Sequence, residues 1–410
     1  MNNIEYFKKL EENLDYDYYG DICLYNSNKV LTAFKKCNVS ESSFNKTTGY
    51  GYGDIGRDTI EEVYKTIFSA EDALVRTQFI SGTHAIQTAL FALLRPGDLL
   101  LSISGTPYDT LHEVIGIRDN DSSLMSFQVK YDEIDLKNND FDDEKIINYI
   151  KNNKVKVIEI QRSKGYSLRK SLSIEKVKRI IKKIKEIDRN IIVMVDNCYC
   201  EFVNKEEPIE VGADICVGSL IKNLGGCICE NGGYIVGRKD LIKLCSERLN
   251  VVGEAKEVGP SLGANKSILQ GLAFAPSVVL SSIKISLLTS KLMEDNNILV
   301  EPKSKDKRVD IVTTIMFNDK DLLINYCKLI QKYSLIDSNV IPMPTSTPGY
   351  DDEIIMASGS FIQGSSIELS CDGPIRSPYV AYQQGSMTYE YGKLALMKIY
   401  DELFKKGKQD

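Results

Sequence analysis

Four short runs of the sequence carry residue types that do chemistry together, and each follows an apolar stretch. Ser81-Gly82-Thr83-His84 comes after DALVRTQFI, and Tyr108 comes after LLLSI. Asp196-Asn197 comes after IIVMV, and Lys222 comes after ICVGS, whose last residue is Ser219. A helix N-terminus flanked by small hydroxyl residues cradles a phosphate, because its first amides have no partner inside the helix. Gly82 lets the backbone approach closely, and Thr83 and Ser219 can donate hydroxyls. A carboxylate at the end of a buried strand keeps a heteroaromatic nitrogen protonated. A lysine in an apolar, glycine-lined turn is desolvated, which lowers its pKa and makes its amine nucleophilic. An anion cradle, a carboxylate, an amine and a stacking ring together describe a site for pyridoxal 5'-phosphate (PLP). Lys222 would form the Schiff base, and Asp196 would make the pyridinium an electron sink.

Each part has an ordinary explanation on its own. An Asp after a strand often caps a turn, a Lys there often faces solvent, and a Tyr after Pro is often half-buried packing. What carries the reading is that all four occur in order along one sheet.

The elements that must position them are legible. DALVRTQF (72–79), LLLSI (99–103), VKVIEIQ (155–161), IIVMV (191–195), ICVGS (215–219) and GYIVG (233–237) are short and rich in Val and Ile. They are apolar on both faces and separated by helical stretches. That pattern predicts a buried, mostly parallel sheet with helices on both sides. Ligands of such sheets gather at the carboxyl ends of the strands. Residues 1–45 read as a helical arm, 46–288 as a large α/β domain, and 289–410 as a smaller C-terminal α+β domain. The last contains VDIVTTIMF (309–317), the helical DKDLLINYCKLIQKYS, and a strand-poor stretch rich in Pro, Ser and Gly.

The totals exclude several classes. The chain has 410 residues and a net charge of −6. Its Lys and Arg are dispersed, so a nucleic-acid surface is not expected. The basic run KVKRIIKKIKEIDR (176–189) has its apolar residues at helical spacing and reads as a packed helix with a solvated face. The N-terminus lacks the apolar core of a signal peptide, and no apolar stretch is expected to reach the ~20 residues that span a bilayer. A cytoplasmic protein without a membrane partner is expected. The ten cysteines include Cys198-x-Cys200 and Cys227-x-Cys229, which are not at zinc spacing and read as small buried residues. No metal is expected. His84 reads as a polar helix-start residue.

Gly51, Gly53 and Gly56 spell the dinucleotide fingerprint in GYGYGDIGRD. That motif must sit between a buried strand and its helix. The preceding SSFNKTTGY is polar, so the glycines read instead as a loop that delivers Tyr52 and Arg57.

VMVDNCY and GSLIKNLGG resemble the aspartate and lysine segments of fold-type I PLP enzymes, the aspartate aminotransferase-like fold. SGTHAIQTALFALLRPGDLLLSISGTPYDTL is similar to the segment of the cystathionine- and methionine-lyases that runs from phosphate loop to stacking tyrosine. With GYGYGDIGRDT, QRSKGYS, VDNCYCEF and ENGGYIVGR, the chain resembles the aluminium resistance protein or methionine γ-lyase-like family over residues 45 to 400. The resemblance implies Lys222 as Schiff-base lysine, Asp196 as partner of the pyridine nitrogen and Tyr108 as the ring over the cofactor. Gly82, Thr83 and Ser219 would hold the phosphate. It also implies dimers, often paired into tetramers, with a Tyr and an Arg reaching the neighbouring phosphate; Tyr50, Tyr52 and Arg57 are the candidates. For the substrate carboxylate, Arg376 in SCDGPIRSPY is the candidate and Arg162 its competitor, since Arg offers two parallel hydrogen bonds. Gln161 and Ser163 are placed to touch the cofactor ring oxygen.

The activity implied is carbon–sulfur lysis: β- or γ-elimination from an amino acid of the cysteine, cystathionine or methionine type, giving thiol, 2-oxo acid and ammonia. An aminotransferase would use the same residues. Ser219-x-x-Lys222 also fits a serine acyl-enzyme, although its companions S-D-N and K-T-G are missing. A non-catalytic protein of the PLP fold is the remaining alternative.

Overall fold

A computed structural model describes residues 2–405. The chain begins with α1 (Asn3–Glu11), α2 (Tyr16–Lys36) and α3 (Ile55–Ile67). Next come β1 (Asp72–Arg76), α4 (Gly82–Leu93), β2 (Leu99–Ser102), α5 (His112–Ile115), β3 (Lys130–Glu133), α6 (Asp143–Asn152) and β4 (Val157–Gln161). Then follow α7 (Ile174–Ile187), β5 (Ile192–Asp196), β6 (Ile215–Ser219), β7 (Gly233–Gly237), α8 (Lys239–Leu249) and α9 (Asn265–Asp295). The last elements are β8 (Leu299–Glu301), β9 (Thr313–Met316), α10 (Lys320–Lys332), β10 (Ile354–Ser358), β11 (Ser370–Pro374), β12 (Val380–Gln384) and α11 (Tyr389–Tyr400).

The first seven strands form one sheet in the order β1-β7-β6-β5-β4-β2-β3. Only β7 runs against its neighbours; the pairs among β2 to β6 are parallel. Strands β4 to β7 are buried along their whole length because both faces are covered. Alternate side chains go to opposite faces. Leu74, Leu100, Val157, Met194, Val217 and Ile235 pack with α4 and α8. Val75, Cys216 and Val236 pack with α2, α3 and α9, while Leu101, Ile158 and Val195 pack with α6 and α7. Helix α7 shows the cause in miniature: Ile174, Val177, Ile180, Ile181 and Ile184 are buried on one stripe, and its lysines point outward.

Two expectations need correction. Helix α9 is long and apolar enough to cross a membrane by length and composition, contrary to the reading that no such stretch exists. Most of that apolar window is buried against the protein, with Ile268, Leu269, Leu272 and Val279 in the core beside α2 and α3. The C-terminal stretch read as strand-poor holds β10, β11 and β12. These join β9 and β8 in a five-stranded antiparallel sheet, order β10-β11-β12-β9-β8. One face packs Ile315, Ile355, Ala357, Cys371 and Ala381 against Leu323, Tyr326, Cys327 and Ile330 of α10. The other face looks into the cavity described next.

Candidate active site

A cavity of about 470 Å³ lies where the carboxyl ends of β4, β5 and β6 meet the free face of the second sheet. Gly82, Thr83, Tyr108, Asp196, Ser219 and Lys222 all line it. Six residues from four separate runs therefore converge, as the order of strand ends required.

The anion cradle is the start of α4. Ser81 caps the helix by accepting the His84 N–H on its Oγ at 3.1 Å. The amides of Gly82 and Thr83 are first-turn donors with no partner inside the helix. A side chain on Gly82 would place its Cβ 3.1 Å from Ser219 Cβ and 3.6 Å from Cys198 Sγ, so glycine lets this loop sit closely on the end of β6. Thr83 Oγ1 lies 3.0 Å from Thr110 Oγ1, which brings a further hydroxyl to the same corner. His84 accepts the Ile80 N–H at 3.2 Å on Nδ1, and burial lowers its pKa, so it acts as a neutral part of the turn.

Asp196, 7% exposed, ends β5 and accepts the Cys198 N–H at 3.0 Å on Oδ1. Tyr108 opens the loop after β2. Its N–H donates to Gln161 Oε1 at 2.7 Å, its hydroxyl lies 2.5 Å from that of Tyr350, and its ring meets Tyr166 edge-on at 5.6 Å. Burial raises the Tyr108 phenol well above its ordinary pKa, so it stays protonated.

Lys222 follows β6 and projects over the ring of Tyr199, with Nζ 4.0 Å from the ring centroid. Tyr199 has φ +73°, a left-handed backbone unusual for an aromatic residue, and that twist turns its ring under the amine. The sequence predicts a lowered lysine pKa; the surroundings do the reverse. Burial opposes the ammonium, but Cys198, Tyr199 and Asp196 more than offset it and hold the amine above its ordinary range. Lys222 rests protonated and must lose that proton before its amine can attack a carbonyl.

The remaining candidates divide. Gln161 and Ser163 line the cavity, although the Ser163 hydroxyl donates to Asp310 at 2.9 Å. Arg162 is fully buried and donates to Asn197 Oδ1 at 2.6 Å, bracing the end of β5, so it is no anchor for a substrate. Arg376 stands outside the cavity, with Nη1 on Asp352 at 2.9 Å and Nη2 on the Tyr166 carbonyl at 3.2 Å. Tyr52 is exposed and stacked on Tyr50 at 5.6 Å, and neither lines the cavity of its own chain. Arg57 is buried beside Asp58 and the Glu257 and Gly259 carbonyls, also away from that cavity. Sequence reasoning missed Tyr166, Tyr199, Tyr350, Asp372 and Gln384, which all line it. Tyr199 had a signal, three residues past Asp196; Asp372 and Gln384 lay hidden in the stretch read as strand-poor.

These residues fit PLP: the first-turn amides of Gly82 and Thr83 offer an anion cradle, and an amine and a carboxylate line the same cavity with the Tyr108 ring. The sequence profile of the methionine gamma-lyase family matches residues 4–404. The protein YnbB of Bacillus subtilis strain 168 is 48% identical over 383 residues, 93% of this chain and 91% of that one. A Clostridium acetobutylicum crystal structure, provisionally described as a cystathionine beta-lyase involved in aluminium resistance, is 44% identical with a TM-score of 0.95. It covers 98% of this chain and 95% of its own. A carbon-sulfur lyase involved in aluminium resistance from Clostridium novyi NT is 45% identical, with a TM-score of 0.92 over 97% of this chain and 96% of its own. The architecture is that of fold-type I PLP enzymes.

Proposed function

We propose a function from one premise: the chain belongs to the methionine gamma-lyase family. It is a PLP-dependent carbon–sulfur lyase that eliminates a thiol from an amino acid of the cysteine, cystathionine or methionine type. The observation that supports this best is the meeting of Lys222, Asp196 and the open N-terminus of α4 in one cavity.

When bound, PLP supplies an aldehyde for an amine and a sink for the electron pair left at the substrate α-carbon. The chain supplies everything else. The Gly82 and Thr83 amides with the Ser219 hydroxyl would hold the phosphate. The Asp196 carboxylate would keep a proton on the pyridine nitrogen. The Tyr108 ring, on the cavity wall, would shield the cofactor and keep water off it. Lys222 Nζ would take the proton from the substrate α-carbon, a step for which an unprotonated amine in a shielded site is suited. Arg376, at the mouth beside Tyr166, is the candidate to draw in the substrate carboxylate by leaving Asp352. Tyr52 and Arg57 are candidates to reach the phosphate of a neighbouring subunit in a homodimer or homotetramer.

The test is product analysis on PLP-loaded protein given cystathionine, cysteine and methionine in turn. Thiol, 2-oxo acid and ammonia in equal amounts are expected from at least one. A 2-oxo acid that forms only when a second oxo acid is added would mean transamination, and no product from any would overturn the reading.

A further inference from the structure

The free face of the second sheet forms one wall of the cavity, and its register is specific. Met356 of β10, Asp372 of β11 and Tyr382 of β12 are direct cross-strand neighbours. Ser358, Ser370 and Gln384 form the next row. All six line the cavity. A carboxylate thus stands between a thioether and a phenol ring, facing inward from the wall that carries neither Asp196 nor Lys222.

Its polar company is neutral. Gln384 Nε2 donates to Asp372 Oδ2 at 2.9 Å, and among the described residues no Lys or Arg lies within salt-bridge distance of it. The charged side chains lining the cavity are Asp196, Lys222 and Asp372. The proposed function commits the first two to the cofactor, which leaves Asp372 without a counter-ion. Four tyrosines that line the same cavity cluster with one another: Tyr166 to Tyr382 at 5.2 Å, Tyr166 to Tyr350 at 5.7 Å and Tyr108 to Tyr350 at 5.9 Å between ring centroids. A half-buried carboxylate in a cavity lined by tyrosine rings suits an ammonium, which gains a charge-assisted hydrogen bond and cation–π attraction together.

We propose that Asp372 and these tyrosines form a subsite for a second ammonium, carried at the far end of the substrate. The inference rests on the reading that the cavity takes an amino acid, and it narrows the substrate class to thioether amino acids with a distal amine. Burial pushes the Asp372 carboxyl up to about 6, with Tyr166, Gln384 and Lys222 pulling it back, so it is charged in neutral solution.

Two ligands of nearly one shape separate the possibilities. S-(2-aminoethyl)-L-cysteine ends in an ammonium where S-propyl-L-cysteine ends in a methyl. Their dissociation constants for PLP-loaded protein are read from the cofactor absorbance on rapid mixing, before turnover. The aminoethyl compound is expected to bind at least about tenfold more tightly. Asp372→Asn should bring the ratio close to one, and Asp372→Glu should restore most of it. Equal binding of the two ligands to the wild-type protein would overturn the subsite, as would a ratio that survives in Asp372→Asn. The wild-type ratio decides even if the Asn variant misfolds. Release of thiol is scored separately: an intact binding ratio without thiol would remove the lyase reading and leave the subsite standing.

Discussion

Gly165→Ala tests how the ring of Tyr108 is held. Gly165 has φ +57°, and a Cβ there would lie 2.8 Å from Tyr108 Cδ2 and 3.4 Å from Gln161 Nε2. The left-handed backbone costs an L-residue roughly 1–2 kcal/mol. The ring cannot swing clear cheaply. Its backbone N–H is tied to Gln161, its hydroxyl to Tyr350, and its edge abuts Tyr166. The ring must therefore shift and lose part of its stacking on the cofactor, worth about 0.5–1.5 kcal/mol. Two separate effects follow. The cofactor dissociation constant should rise roughly two- to twelvefold. The cofactor-free protein should lose about 1–2 kcal/mol against urea. Cofactor titration by absorbance and urea unfolding read the two independently. Tyr108→Phe is the control: it keeps the ring and loses only the bond to Tyr350, so cofactor affinity should stay within about twofold, the ring stacking being retained. Wild-type affinity together with wild-type unfolding in Gly165→Ala would refute the argument that this glycine makes room for the ring.

Arg76→Met should be strongly destabilising, because Arg76 Nε pairs with Glu61 Oε1 at 2.7 Å and both side chains are almost fully buried. Leaving that carboxylate behind costs about 3–5 kcal/mol, and the lower end is expected since Lys256 lies 3.2 Å from the same group; an unchanged urea midpoint would contradict it. Glu159 predicts a pH effect. Burial, then Asp196, pushes its carboxyl from 4.5 up to about 8, so between those values the folded chain keeps a proton that the unfolded chain has released. Stability must therefore fall as pH rises through that window. Glu159→Gln should make the loss between pH 5 and pH 8 smaller, with the similarly raised Glu201 and Asp372 contributing to what remains, and an unaltered slope would rule Glu159 out as a source.

What was legible in the sequence follows from burial. Strands β4 to β7 are buried on both faces, so Val and Ile run through them unbroken and betray both the strand and its end. That is how Asp196 and Lys222 could be placed from spacing alone. Strand β3, KYDE, lies at the sheet edge and is polar, so nothing marked it. Strand β11, SCDGP, carries residues that favour turns, and it is a strand because β10 and β12 pair with both its edges. Its cavity-facing Asp372 was hidden for that reason. The Lys222 pKa was misjudged because desolvation is visible from an apolar run, whereas Cys198 and Tyr199 reach the amine only through the turn after β5. Arg162 looked like an anchor because it follows a strand, but a strand end offers two directions, and its side chain turned inward to Asn197.

The central claim is that Lys222 and PLP meet in this cavity. The most direct measurement is borohydride reduction of protein incubated with PLP, followed by peptide mass mapping. The account predicts a yellow protein whose reduced cofactor is found on the peptide holding Lys222, and no such adduct in Lys222→Ala. A protein that stays colourless with added PLP, or cofactor fixed on another lysine while Lys222 is unmodified, would contradict it.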